Sequence, residues 1–170
     1  MADTKTLFKI PFDNLSQNNY PLFDLISYLC IMKQFKDYYN FFREDRYCVY
    51  ILKEIRQQQV IVCENCENET HYWKNDKNKF ECKECSYRTS LKKGTIMENS
   101  NLPLQYWLSV IVYLATAKEN ISVLKLQKKL GHNRYEPILR MVKKIRGVPE
   151  SDFMKQKIVE YFNRMNNTEP

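Results

Sequence analysis

Apolar residues recur at three- and four-residue steps through most of the chain, and the pattern changes at a few recognisable points. Leu22–Lys33, Phe35–Phe42 and Asp45–Arg56 read as helices rich in tyrosine and phenylalanine, with Pro21 marking the first boundary and Asp45 a candidate cap for the last. After residue 58 alternation replaces the helical period. Gln59–Val62, Thr70–Trp73, Lys79–Cys82 and Tyr87–Leu91 read as short strands, the second and third paired across the polar turn Lys74–Asn78. From Pro103, suited to a first helical turn, Trp107, Leu108, Val110, Ile111, Leu114 and Ala115 are apolar on more than one face, so that helix belongs inside. Ser122 is a candidate N-cap for a second helix carrying Val123, Leu124, Gln127 and Leu130, and Gly131 supplies its left-handed stop. After His132 and Asn133 a third helix begins near Arg134–Pro137, because proline is tolerated only in a first turn, and runs to about Arg146, closed by Gly147 and Pro149. Its faces differ: Ile138, Met141, Val142 and Ile145 form a buried stripe, while Glu136, Arg140, Lys143 and Lys144 fall opposite. Ser151–Met165 reads as one amphipathic helix with Phe153, Ile158, Tyr161, Phe162 and Met165 apolar, predicted to cap the core rather than pair with another chain.

Composition agrees with helices over glycine-turned sheets: the 170 residues include only 3 glycines but 12 tyrosines and 9 phenylalanines. The formal charge of +7 is informative mainly by its position. Residues 1–60 hold 8 basic and 7 acidic side chains, 61–100 hold 7 and 7, 101–148 hold 9 and 2, and 149–170 hold 3 and 4, so the whole excess falls in one segment. Such a segment attracts a polyanion, with nucleic acid the leading partner over an anionic membrane surface or a merely solvated face. The longest apolar run, Tyr106–Ala117, is shorter than the ~20 residues that span a bilayer, and Asp3 and Asp13 stand where a signal peptide would be basic. The expectation is an unexported cytoplasmic protein, nucleoid-associated when bound to DNA, without a membrane partner.

Four of the six cysteines form a regular double pair, Cys63-x₂-Cys66 and Cys82-x₂-Cys85, with fifteen residues between. That spacing predicts a zinc site, because each pair places two thiolates on one tight turn and two such turns give a tetrahedral four-sulfur shell. A closed shell leaves no position for an activated water, so one structural Zn²⁺ is expected, contributing folding free energy. Redox pairs, an iron–sulfur cluster and unrelated buried cysteines are the alternatives. His71 lies between the pairs and could replace one thiolate, but a lone histidine in a hydrophilic hairpin reads as exposed. Cys30 and Cys48 sit among apolar neighbours and read as core.

These elements predict a mainly α protein with a small β zinc ribbon, in four parts: an aromatic-rich helical region (1–58), the ribbon (59–100), a tri-helical helix-turn-helix unit (101–148), and a C-terminal amphipathic helix and tail (149–170). In a helix-turn-helix the last helix enters the major groove with its N-terminal residues at the base edges. Asn133, Arg134, Tyr135 and Glu136 would lead here. Arg140, Lys143, Lys144 and Arg146, with Lys128 and Lys129 on the preceding helix, are placed for phosphates. Lys83, Arg88, Lys92 and Lys93 are secondary phosphate candidates on the ribbon, where acids balance them. The N-terminal aromatic stripes read as core packed on the ribbon, without binding residues, and the ends before about Leu7 and after Asn166 as mobile.

The ordered set Cys63-x₂-Cys66, Cys82-x₂-Cys85, Tyr87-Arg-Thr-Ser-Leu, Gly94-Thr-Ile, Ser100, Leu102-Pro-Leu, Trp107, Ile121-Ser, Leu124, Leu126-Gln, Leu130-Gly, Tyr135, Arg140-Met and Lys144-Ile-Arg146 resembles the front portion of bacterial insertion-sequence transposases. The resemblance covers about residues 43–146, including the leading helical run from Arg43. In that family a zinc ribbon and a helix-turn-helix precede an RNase H-like catalytic domain with an acidic triad, and the front portion is taken to bind the element's terminal repeats. The resemblance therefore implies double-stranded DNA as ligand. Glu64 and Glu67 stand where the family usually has proline and glycine, and the tryptophan common before the first knuckle is absent near Arg56.

Only 24 residues follow Arg146, with Glu150, Asp152, Glu160 and Glu169 as their acids, whereas a two-metal nuclease needs carboxylates converging from a much larger sheet. The expectation is a non-catalytic DNA-binding protein, a transposase-derived regulator or targeting factor. Two alternatives stand beside it. One is a protein-interaction adaptor, or a homodimer, using the ribbon and the N- or C-terminal helices. The other is the recognition subunit of a transposase whose catalytic part is a separate chain.

Overall fold

A helix without one charged residue, Leu104–Thr116, runs through the middle of the protein, and the other elements are arranged around it. The computed structural model describes residues 35–116 and 121–167. Among them the order is α1 (Phe35–Phe41), α2 (Asp45–Gln57), β1 (His71–Lys74), β2 (Lys79–Cys82), β3 (Arg88–Ser90), α3 (Leu104–Thr116), α4 (Val123–Leu130), α5 (Tyr135–Gly147) and α6 (Phe153–Asn167). The chain is thus mainly helical with one small antiparallel sheet, ordered β1-β2-β3. The predicted helix Leu22–Lys33, its Pro21 boundary, Cys30 and the ends expected to be mobile lie outside the described residues, apart from Asn167, which closes α6.

Trp107, Leu108, Val110, Ile111 and Val112 of α3 are each at most 1% exposed, which is why its apolar residues occupy more than one face. Fully burying one such side chain is worth about 1.5–3 kcal/mol, so α3 is the main apolar anchor of the fold. It packs against α1, α2, α5 and α6. Phe35 and Tyr38 of α1 meet Tyr113 of α3 edge-on at 5.2 and 5.8 Å. Phe162 of α6 closes the same cluster against Tyr38 and Phe41, at 5.5 and 5.3 Å. The C-terminal helix therefore caps the core through its aromatic face. Its N-terminal signal is Asp152, whose carboxylate accepts from the Lys155 N–H at 2.9 Å, rather than Ser151 where the sequence starts the helix.

The sheet has one face on the core and one outside. Register places Trp73, Phe80 and Thr89 side by side across the three strands, and Phe80 and Thr89 are buried. On the other face Tyr72, Glu81 and Arg88 align. Lys53 of α2 lies 5.9 Å from the Trp73 ring, so α2 borders the ribbon as well as α3. Ile61, Phe80, Leu91 and Met97 join the helical side chains in one hydrophobic cluster. The predicted strand Gln59–Val62 does not form. Ile61 is buried while Val60 and Val62 are 69% and 52% exposed, so the alternation is real, but no strand pairs with it. Burial alternates in any extended segment lying on a core, with or without a hydrogen-bonded neighbour.

Candidate metal centre and basic helices

Each cysteine pair sits on the same backbone device. In the first knuckle the Cys63 N–H donates to Asn68 O (2.9 Å) and the Glu67 N–H to Cys63 O (2.9 Å). In the second, the Cys82 N–H donates to Tyr87 O (2.9 Å) and the Ser86 N–H to Cys82 O (3.1 Å). The residue after each second cysteine is left-handed, Glu67 at φ 59° and Ser86 at φ 59°. Glu67 thus occupies a conformation that glycine adopts most easily, which gives a physical reason for the glycine of the resembled family at this place. Asn68 and Tyr87 also turn their N–H groups onto Cys66 and Cys85.

The two knuckles bring Cys63, Cys66, Cys82 and Cys85 together, with all four sulfurs within 4.8 Å of one another. Cys63 Sγ lies 3.5 Å from Cys85 Sγ, and Cys66 Sγ lies 3.5 Å from Cys82 Sγ. A zinc–sulfur bond of about 2.3 Å puts tetrahedral sulfurs about 3.8 Å apart, so the spacing fits one ion held by all four. His71 is half-buried on β1 and stands outside the four-sulfur group, its Nδ1 3.3 Å from Glu69 O. Cys48 is fully buried, donates to Phe42 O at 3.2 Å, and is core as its neighbours imply.

The sulfurs share charge unequally. The Asn65 side chain and the Tyr87 N–H bring Cys85 down to about 6. Cys66, although the Asn68 N–H favours its thiolate, is pushed up to about 12 by Cys85, desolvation, Cys82 and Cys63. A divalent ion binds thiolates, so binding displaces the Cys66 proton while Cys85 is the more ready ligand of the two.

Of the ribbon's cations, Lys79 and Lys83 are exposed without an ion pair among the described residues, while the others face inward or meet acids. Arg88 Nε donates to Glu81 Oε2 at 2.6 Å, and the Tyr72 hydroxyl donates to the same buried carboxylate. Lys93 lies between Glu64 (2.8 Å) and Glu98 (3.0 Å), whose attraction raises its pKa. Lys92 is part-buried and donates to Ser100 O (2.9 Å) and Leu102 O (2.7 Å), and desolvation lowers its pKa. Arg88, Lys92 and Lys93 thus hold the ribbon together, leaving Lys83 exposed.

The helices after α3 follow the predicted caps closely. Ser122 Oγ accepts from the Lys125 N–H at 3.3 Å. At the other end Gly131, at φ 65°, donates to Lys128 O and the His132 N–H donates to Gln127 O, both at 3.2 Å, which is the Schellman closure. Four residues later α5 begins, with Pro137 in its first turn and Ile138, Met141, Val142 and Ile145 buried against α4 and α3. Arg140 Nε donates to the exposed Glu136 carboxylate at 3.0 Å. Lys144 Nζ donates to Glu98 O (2.6 Å) and Arg146 Nη2 to Ile121 O (3.1 Å), so these two tie α5 to flanking backbone without a salt bridge among the described residues. Asn133, Arg134, Tyr135, Lys143, Lys128 and Lys129 are exposed. Lys125 joins them, exposed one turn before Lys128 and Lys129; its three- and four-residue spacing from that pair was the available signal. None of Lys125, Lys128, Lys129, Arg134 and Lys143 forms a salt bridge with a described residue. From Val123 to Gly147 eight cations face a single acid, Glu136, already occupied by Arg140.

No family model, curated protein or solved structure matches this chain. No helix among the described residues is long and apolar enough to cross a membrane.

Proposed function

We propose that this chain binds double-stranded DNA through α4 and α5, acting as a helix-turn-helix on a scaffold stiffened by a zinc ribbon, and performs no chemistry of its own. The observation that carries the reading is the unbalanced charge of Val123–Gly147, where Lys125, Lys128, Lys129, Arg134 and Lys143 are exposed and without a described acidic partner. The tight Gly131–Arg134 connection and the buried stripe of α5 support the docking mode, in which α5 lies in the major groove with Asn133, Arg134 and Tyr135 at its leading end. Zinc is the ion we assign, because four cysteine sulfurs close a tetrahedral shell and leave no open position. The likeness to insertion-sequence transposases makes a regulatory or targeting role the natural setting, in a unit separated from strand cleavage or assisting a catalytic chain. The domain reading is a ribbon over 59–100 and a tri-helical unit over 101–148, sharing one core with the flanking helices.

Fluorescence anisotropy on short duplexes at several salt concentrations tests this. Log affinity is expected to fall with log salt at a slope of about −0.9 per neutralised phosphate. A second reading, protein docking by the ribbon, draws on the exposed Val60 and Val62 beside the first knuckle. Absence of duplex affinity with salt-insensitive binding to a protein would favour it.

A further inference from the structure

A helix that reads DNA usually stands clear of its own protein, but α5 does not. The segment between β3 and α3 runs alongside it, tied by the Lys144 bond to Glu98 O. The segment is fixed from behind by Lys92, which holds Ser100 O and Leu102 O, and by Trp107 Nε1, which donates to Ser100 Oγ at 3.2 Å. Between this segment and the first turns of α5 lies a cleft of about 730 Å³. A smaller one of about 430 Å³ shares Asn99 and Lys144 with it and extends to Gly147 and Val148. The two clefts adjoin at Asn99 and Lys144 along α5, a helix about 20 Å long at 1.5 Å per residue.

The lining is graded. Leu102, Trp107, Pro137 and Met141 make an apolar floor, and Asn99 and Asn101 form one rim, facing Arg134, Arg140 and Lys144 on the other. Trp107 is only 1% exposed, so it offers no ring face on which a base could stack. What matches a groove between cationic and amide rims is a sugar-phosphate strand, whose phosphate oxygens accept hydrogen bonds from both sides. Glu136 adds little repulsion there, since Arg140 is bonded to it at 3.0 Å.

We propose that one backbone strand of the bound duplex lies in this groove, held between α5 and the Asn99–Asn101 segment. Asn99 and Asn101 are then DNA-contacting residues outside the helix-turn-helix. The proposal rests on the DNA-binding reading above and adds to it a second wall for the duplex. It also explains why Lys92 and Lys144 serve backbone carbonyls: they hold that wall at a fixed distance from α5.

The test uses the zinc-loaded full chain and a short duplex. Asn99 is left-handed at φ 58°, so Asn99→Gly removes its amide without straining the backbone, and it is combined with Asn101→Ala. This variant is expected to bind about tenfold more weakly with an unchanged salt slope, because the lost donors are neutral. Asn101→Lys is expected to bind more tightly and to steepen the slope by about 0.9, through one added phosphate contact. Zinc content and circular dichroism verify that each variant is folded. If the wild type binds duplex with a steep salt dependence and both variants match it, the groove proposal fails and the helix-turn-helix reading survives. If the wild type binds no duplex, both fail.

Discussion

The ribbon and the α4–α5 pair carry similar numbers of basic side chains, yet they use them differently. In residues 61–100 the seven cations are matched in number by seven acids, and four of them, Lys74, Lys77, Arg88 and Lys93, lie in ion pairs. A small sheet with little apolar surface is thereby pinned by charge on its outer face, around the buried carboxylate of Glu81. In α4 and α5 the apolar stripes do the packing, and most of the cations have no acid to meet. The comparison teaches that local charge balance, rather than the count of lysines and arginines, separates basic residues that hold a fold from those left for a ligand.

The largest effect is expected from the metal. Cys82→Ser, or a strong chelator, should remove the ion and unfold the knuckles, since structural zinc contributes on the order of 10 kcal/mol in small domains. Metal analysis and thermal melts check this, and retention of one ion per chain by the variant would contradict the four-sulfur assignment. Acid should act in the same direction. Thiolates are the binding form, so affinity falls as pH drops; Cys66 is pushed up to about 12, whereas Cys85, brought down to about 6, holds its thiolate to lower pH. A chromogenic chelator should therefore capture the metal progressively more easily as pH is lowered toward that value.

The charge comparison itself breaks or holds on paired variants. Lys128→Ala with Lys129→Ala should flatten the salt slope of duplex binding by about 1.8, at 0.9 per lost phosphate contact. Arg88→Ala should leave the slope alone and instead lower the melting temperature, because it strips a charged hydrogen bond from the buried Glu81. Equal slopes for the two variants would abolish the distinction. The smallest effect is expected at Glu67, where glycine relieves a left-handed backbone but loosens the unfolded chain, for a net gain of about 0.5 kcal/mol in a melt of the metal-loaded protein.

Where a residue's role depends on its sequence neighbours, the sequence revealed it. The Ser122 cap, the Gly131 stop, the stripes of α5 and the cysteine spacing each act within one turn or knuckle, and all appear in place. The burial of α3 was legible because polar residues are nearly absent from it. The cap of α2 was read one residue off, Glu44 rather than Asp45 holding the position, and the start of α6 was read at Ser151 where the helix opens at Phe153 behind Asp152. The extended segment at Ile61 carried a strand's alternation without a strand's partner. Long cations were the least legible. Nothing local to Lys92, Lys144 or Arg146 tells which distant carbonyl each will serve, because a flexible side chain finds its acceptor only after the backbone has been placed. The groove along α5 was hidden for the same reason, as its two walls come from segments more than thirty residues apart.

The repeated knuckle also bears on how the protein assembles. Each half-site closes over six residues through its own main-chain bonds, which set its two sulfurs side by side. What remains is to draw in the fifteen residues between Cys66 and Cys82, and the hairpin of β1 and β2 shortens that path. The four residues that would hold the ion thus come as two pairs, each set by its own main-chain turn.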